Sequence, residues 1–402
     1  MVANLDVLRI CVVISHPIQH FCPMFVSWAK NPEICLKVFF ASNIGLQSYK
    51  DENFDREIKW GSLYLDDFPH LFLNGNNTLP IDGRLDAENL EMELLKFQPD
   101  IVVQYGRNYN FNSRLRKWAL SNNVKIGYVS DSESRHSENW IKLIIKNFYY
   151  RFYFRKIHLF FSVGDSNEDF YLKCGVSRDK IIRMNFSIDK LLYDKFYLNK
   201  LKLKDDLRER LNIASDDFVI SVVGKLVEWK NQLDLVSLLV NLEKSVGWPK
   251  VHLIVAGSGP NELNMRDLAA TLDYNCVHFL GFVDPEDLPA VYAACDVYVH
   301  PSKYEPHSLA VSEAIYMGLP IFVSHTSGSH GPSDDVRQNE NGGVYELSNL
   351  VSLEEQLKTM LDVKKREEYS RRSKEIANHA QDNAHFEFIN KLIKYYRIKW
   401  RM

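Results

Sequence analysis

The chain has 402 residues, 46% of them hydrophobic and 25% charged, with a formal net charge of -3. That length exceeds what a single core usually serves, so two domains are expected, and the composition excludes a disordered or fibrous chain. The nearly balanced charge gives no general electrostatic case for nucleic acid, and no nucleic-acid partner is expected.

The N-terminal "MVANLDVLRICVVIS" carries a short apolar run without a basic leader, so no signal peptide is expected. No stretch approaches the roughly 18 to 20 apolar residues that span a bilayer. Six cysteines (Cys11, Cys22, Cys35, Cys174, Cys276 and Cys295) are scattered without C-x-x-C or metal-ligand spacing. Such thiols fit reduced core residues of a cytosolic protein.

Strands are predicted at "LRICVVIS" (8–15), "LKVFF" (36–40), "DIVVQYG" (100–106), "VKIGYVS" (124–130) and "IHLFFSVG" (157–164), with helical patterns such as "FCPMFVSWAK" and "LEMELLKFQ" between them. Continuous apolar strands alternating with helices predict a parallel sheet covered on both faces. Residues 190–217 are charge-rich and read as a linker and closure hinge. A second series then begins: "FVISVVGK" (218–225), "VHLIVAGSGP" (251–260), "VHFLGFV" (277–283), "DVYVHPS" (296–302) and "PIFVS" (320–324). The fold class is therefore α/β, with two doubly wound, Rossmann-like domains facing across a cleft. The expected division is 1–200 and 201–383, with a C-terminal helix at 384–402 packing back on the first domain. Ligands of such sheets bind beyond the carboxyl ends of the strands, so the residues just after each strand are the candidates.

Lys225 stands at one strand end and Lys230 five residues on, a pair suited to clamping a diphosphate, although either alone reads as an ordinary solvated lysine. "VAGSGP" offers Gly257 and Gly259 at a strand-to-helix turn but is not a dinucleotide fingerprint. The backbone around Phe282 and Val283 is placed to meet a base edge or simply to end a core strand. In "SKYEPHSLAVSEAIYMGLP" (302–320), Pro306 suits a helix start, which would aim the amides of Ser308, Leu309 and Ala310 at a phosphate. Glu313, a turn further in, is placed to accept two ribose hydroxyls, and Glu305 to take hydroxyls of a sugar ring. The coincidence of these features at successive strand ends of one domain outweighs each feature taken singly.

Together "VGKLVEWKNQLDL", "VAGSGP" and the run from "FLGFVDPEDL" through "PIFVS" resemble the C-terminal domain of the retaining glycosyltransferases of family 4, also described as glycosyl transferases group 1. The resemblance is specific over 218–325 and strongest at the E-x7-E pair. It implies a GT-B fold, a ribose contact at Glu313, a donor-sugar contact at Glu305 and a leaving-diphosphate role for Lys225 and Lys230. "SHPIQHF" (15–21) looks like the first strand-loop of a bacterial subset, with His16 and Gln19 facing the donor where a Gly-Gly turn is more usual. His307-Ser308 replaces the usual Phe-Gly, which sets His307 against the donor sugar. Lys225 replaces a common arginine and loses its planar fork. In "YVSDSESRHSENW", Asp131, Glu133 and His136 are alternatives for the first domain's residue at the reacting centre, and Asp131 is the one carried forward.

The implied reaction is transfer of a hexose from a UDP- or GDP-sugar, with retention, to a glycan or lipid-linked acceptor in polysaccharide or glycoconjugate biosynthesis. No further cofactor is expected and no metal, since lysines and helix amides suffice for the diphosphate and the chain has no D-x-D. "WIKLIIKNFYYRFYFRKI" (140–157) sets Lys142, Lys146, Arg151, Arg155 and Lys156 on roughly one side of a helix. It reads either as peripheral contact with the inner face of a membrane or as a buried aromatic stripe with snorkelling lysines. A hydrolysing sugar-nucleotide epimerase shares the architecture. A catalytically inactive subunit that binds or scaffolds a partner glycosyltransferase is the alternative of a different class.

Overall fold

The computed structural model describes residues 7–46, 49–51, 56–58, 63–75, 77–135 and 140–400. Two parallel sheets organise it. The first contains β1 (Leu8–Ile14), β2 (Ile34–Phe40), β3 (His70–Phe72), β4 (Ile101–Tyr105), β5 (Lys125–Ser130), β6 (Leu159–Ser162) and β7 (Ile181–Arg183), in the order β3-β2-β1-β4-β5-β6-β7. The second contains β8 (Phe218–Val223), β9 (Val251–Ala256), β10 (Val277–Gly281), β11 (Val297–His300), β12 (Ile321–Ser324) and β13 (Gly342–Tyr345), in the order β10-β9-β8-β11-β12-β13. Both orders reverse direction beside their first strand, which opens the crevice where doubly wound sheets bind ligands. Every residue of β8, β9 and β11 is buried. This is why these strands read as unbroken apolar runs: helices cover both faces. A short antiparallel pair, Tyr49–Asp51 against Arg56–Ile58, lies apart from both sheets.

Residues 190–217 depart from expectation. They are not an open linker but contain two helices, Lys190–Leu198 and Lys200–Arg210, both packed on the second sheet's side. Asp189 caps the first by accepting from the Leu192 amide at 3.1 Å. Tyr193 and Leu207 join a core with Tyr292, Val311 and Ile315. The charge-rich second helix hides one of its charges: Arg208 is buried, with Nη2 2.8 Å from Asp296 and Nε donating to the Ala294 carbonyl at 2.9 Å. The helix Lys190–Leu198 therefore sits with the second domain rather than the first. The chain crosses between cores from Met184 to Ile188 and returns between Ala377 and Ala384. Gln381 stitches the crossings together, accepting from the Ile188 amide at 2.9 Å and donating to the Phe186 carbonyl at 3.0 Å.

The long helix Val363–Asp382 runs through a π-helical turn, Asn383–Glu387, into the last helix, Phe388–Lys399. Phe388 stacks on Trp28 at 5.0 Å, and the Trp28 indole donates to the Ala384 carbonyl at 2.9 Å, holding this end of the chain against the first sheet. The helix Trp140–Phe154 also differs from its reading. Its basic residues do not share one side: Lys146 turns inward to donate to the Glu133 carbonyl at 2.8 Å, whereas Arg151, Arg155 and Lys156 are exposed. Its aromatic residues are not all core either, since Tyr150 and Phe154 are buried while Phe148 and Phe152 are exposed. Among the described residues, no helix is long and apolar enough to cross a membrane.

Candidate active site

A cavity of about 470 Å³ lies between the domains. From the second domain it is lined by Lys225, Lys230, Glu305, His307, Ser308, Leu309, Ala310 and Glu313; from the first, by Ile18, Gln19, His20 and Phe186. Nine of the fourteen sequence-predicted site residues are thus brought together. His16, Gly257, Phe282, Val283 and Asp131 stand outside this lining.

Lys225 follows the end of β8, on a turn that begins at Gly224, whose φ is +138°. Gly257, at φ +152°, closes on that turn: a Cβ there would lie 1.9 Å from the Gly224 carbonyl oxygen. Only glycine allows this approach, so Gly257 shapes the turn that presents Lys225. Phe282 and Val283 lie just before the cavity wall, which is made there by Pro285 and Leu288. Both are only half-buried, and Val283 packs against the domain core.

Lys230 and Glu305 form an ion pair at the cavity wall. His300, at the end of β11, donates from Nε2 to the same Glu305 oxygen at 3.2 Å and takes the Tyr298 hydroxyl at Nδ1 at 3.1 Å. Burial alone would raise the Glu305 carboxyl; the His300 hydrogen bond and the Lys230 charge outweigh it and bring the pKa down to about 2. Burial keeps His300 below its ordinary value, consistent with a neutral ring that relays Tyr298 to Glu305. Sequence reasoning passed over His300, although its strand-end position inside "DVYVHPS" satisfied the rule that selected the others.

The helix after Glu305 spans Leu309–Tyr316, with Ser308 at its N-cap. Ser308 has φ -112° and ψ 119°, ordinary extended backbone that serine adopts without strain, so replacing glycine costs little here. Its amide, however, donates to Ser329 Oγ at 2.8 Å. The first-turn amides of Leu309 and Ala310 remain at the cavity as the helix's positive end. Glu313 is buried one turn in and accepts from the Tyr292 hydroxyl at 2.9 Å. Burial pushes its pKa up to about 7 against the opposing tyrosine hydrogen bonds. The two glutamates of the E-x7-E pair thus occupy opposite electrostatic environments.

His307 is buried between two carboxylates, Nδ1 3.8 Å from Asp334 and Nε2 3.4 Å from Asp335. Burial lowers its pKa, but the two aspartates outweigh that and raise it overall. The donor atoms of His307, Asp334 and Asp335 lie within 4.8 Å of one another, compact enough for a cation. The carboxylates flank opposite ring nitrogens, however, and that bracketing suits an imidazolium held between them. Gly164 of the first domain closes over the group: a Cβ there would lie 2.6 Å from Asp334 Oδ2 and 3.0 Å from His307 Nδ1.

On the first domain, the loop after β1 supplies Gln19 and His20 to the cavity, while His16 hydrogen-bonds back to Ser15 at 2.9 Å. His20, within the quoted "SHPIQHF" but not selected, is thus the histidine that reaches the cavity. Burial, with His16 adding to it, brings the pKa of His20 down to about 4 and keeps it neutral. Asp131 follows β5. It is exposed to the cleft yet crowded by protein, and that crowding raises its carboxyl; Glu305 and Glu133 add to the rise and His307 opposes it. Glu133 is buried and paired with Arg135 at 2.8 Å, and Arg135 reaches the Ser327 carbonyl of the second domain at 2.6 Å. Arg135 therefore bridges the two domains with Glu133 as its ion-pair partner, while Asp131 is exposed. His136 lies outside the described residues.

Residues 204–378 match the model of the family described as glycosyl transferases group 1. Over 130 residues the chain is 33% identical to the uncharacterized glycosyltransferase MJ1607 of Methanocaldococcus jannaschii, covering 31% of this chain and 32% of that protein. It is 30% identical over 120 residues to the alpha-monoglucosyldiacylglycerol synthase of Acholeplasma laidlawii, covering 30% of each. The chain thus spans about a third of the length of either relative. The crystal structure of HepE from Anabaena in complex with UDP and glucose superimposes with a TM-score of 0.66, covering 96% of this chain and 99% of that one at 16% identity, a likeness of fold. Residues 204–378 form a glycosyl transferases group 1 domain, set in a chain of GT-B fold.

Proposed function

We propose that the chain transfers a hexose, with retention of anomeric configuration, from a UDP- or GDP-sugar to a glycan or lipid-linked acceptor in the cytoplasm, as a step of polysaccharide or glycoconjugate assembly. The observation that carries this reading is the convergence on one cavity of Lys225, Lys230, the Leu309–Tyr316 helix start, Glu305 and Glu313. Two ammonium groups and a helix N-terminus suit a diphosphate, and a carboxylate on either side suits hydroxyls of ribose and sugar.

As the anomeric bond breaks, negative charge grows on the departing diphosphate. Lys225, Lys230 and the first-turn amides meet it with charges already in place, the kind of electrostatic contribution worth about 3 to 4 kcal/mol per lost donor in closed sites. Lys230 is held ready by Glu305, so the same ion pair positions the cation and offers a carboxylate to the sugar. This chemistry draws on the chain's own cations, and the reaction is proposed to run without a metal. Asp131, open to the cleft, would face the acceptor. The His307-Ser308 pair fits a working site, since Ser308 is unstrained and His307 lies between two aspartates.

The test is thermal stabilisation by UDP, GDP, ADP and CDP, followed by sugar transfer or release from the matching donors with and without EDTA. Stabilisation by one nucleotide and EDTA-insensitive turnover are expected. A protein that responds to no nucleotide would refute the donor site, and turnover abolished by EDTA would refute the metal-free mechanism.

A further inference from the structure

The helix Trp140–Phe154 turns to solvent a face that folded domains normally cover. Ile144, Ile145, Phe148 and Phe152 are 56, 63, 61 and 48% exposed. Their spacing puts them within about 100° of arc on one side of the helix. The other side is the one that packs, through Tyr150, Phe154 and the inward Lys146, whose ammonium lies 5.1 Å from the Phe170 ring centre. Four large apolar side chains standing out together form a patch rather than scattered exposure.

Charge says what would cover it. Residues 140–157 contain five basic side chains and no acidic one. Arg155 lies over the exposed Phe152 ring at 4.3 Å. At the helix's C-terminal end, Arg151, Arg155 and Lys180 line a cavity of about 330 Å³. An aliphatic and aromatic face with a cationic end suits the boundary between acyl chains and anionic headgroups, where apolar contact needs no directional partner.

We propose that this face docks on an anionic lipid membrane, with Ile144, Ile145, Phe148 and Phe152 entering the interface and the Arg151–Arg155–Lys180 pocket receiving lipid phosphate. The helix is tied to the cleft, because Lys146 holds the Glu133 carbonyl two residues beyond Asp131. Docking would therefore set the mouth of the cleft at the bilayer, and the acceptor would be an amphiphile presented from it. That last step rests on the glycosyl-transfer reading; the docking itself does not.

The full chain would be floated with neutral phosphatidylcholine vesicles and with vesicles containing about a third phosphatidylglycerol. Each cation near an anionic surface changes partitioning by about fivefold, so at least tenfold preference for the anionic vesicles is expected, falling as salt rises. Ile145→Ser with Phe148→Ser should reduce binding at least tenfold, and Arg151→Gln with Arg155→Gln should abolish the preference for anionic lipid. Nucleotide stabilisation should persist in both variants, which shows that they fold. The proposal is overturned if the wild type stays unbound, if either double variant floats like the wild type, or if the chain is a dimer that Ile145→Ser with Phe148→Ser makes monomeric, since a second copy would then cover the face. Vesicle binding without any nucleotide response would leave the docking surface standing while the transfer reading, and the acceptor step with it, fell.

Discussion

Replacing Glu313 with glutamine should act in opposite directions on stability and on binding. In the wild type, burial raises this carboxyl from an ordinary 4.5 to about 7. Below about pH 4.5 the group is protonated in folded and unfolded chains alike and costs nothing. Between there and about 7 the unfolded chain releases the proton that the folded chain keeps, so stability falls as pH rises. Above about 7 the loss is complete, on the order of 3 kcal/mol for this shift. Glutamine has no charge to desolvate and removes the slope. The tyrosine hydrogen bonds to the carboxylate, Tyr292 among them, already oppose the shift, so nothing further is subtracted for their loss. A net gain on the order of 3 kcal/mol is expected at pH 8 and none at pH 4. Nucleotide binding should move the other way. If the carboxylate accepts ribose hydroxyls, losing its charge costs about 1.5 to 3 kcal/mol, or roughly ten- to a hundredfold in Kd. Wild-type affinity should itself fall as pH drops below about 7, while the variant stays flat. Urea denaturation at pH 4 and pH 8, with calorimetric titration of the preferred nucleotide across the same range, measures both. A variant less stable than wild type at pH 8 that keeps its nucleotide affinity would refute the reasoning, since Glu313 would then be a core hydrogen-bond acceptor and the ribose contact would lie elsewhere.

Glu305 should behave in the opposite sense. Its folded pKa of about 2 lies below the ordinary 4.5, so its contribution to stability is present above about pH 4.5 and drains away as pH falls toward 2. Lys230→Met should move the acid-unfolding midpoint, followed by tryptophan fluorescence, to higher pH; an unmoved midpoint would mean the pair adds nothing net. Gly257→Ala should destabilise by about 1 to 3 kcal/mol in urea, because its methyl would meet the Gly224 carbonyl oxygen at 1.9 Å and the backbone has to shift. Turnover should fall with it as the turn carrying Lys225 moves, and an alanine variant as stable and active as the wild type would contradict the role given to this glycine.

Much of the second domain was legible because its chemistry is local. Lys225, Glu305 and the helix start each follow a strand within a few residues, so a buried apolar run read from composition placed them at the same end of one sheet. The short strands β3, β7 and β13 escaped notice for the converse reason. Three or four residues such as "HLF", "IIR" and "GGVY" carry too little pattern to stand out, and it is their neighbours in the sheet that make them strands. Residues 190–217 misled because charge was read as exposure. Arg208 is buried and pairs with Asp296, 88 residues away, which no window along the chain reveals.

Contacts made between distant segments set the remaining limits, and they explain which residues of a quoted motif mattered. In "SHPIQHF" the histidines are equivalent as residue types; the turn after β1 sends His20 into the cavity and leaves His16 on Ser15. In "YVSDSESRHSENW" the sequence offers Asp131, Glu133 and His136 alike, and only the fold shows that Glu133 pairs with Arg135, which bridges to Ser327. The pairing of Lys230 with Glu305, and of His307 with Asp334 and Asp335, likewise joins segments that come together only when the chain folds. These pairings set the protonation of the site: they keep Glu305 charged and favour a proton on His307, while burial leaves Glu313 the one glutamate of the pair whose charge is undecided near neutrality. Sequence spacing identified two carboxylates with seven residues between them. Their surroundings give them different chemistry, one an anion that holds a lysine in place, the other a buried acid that titrates near neutrality.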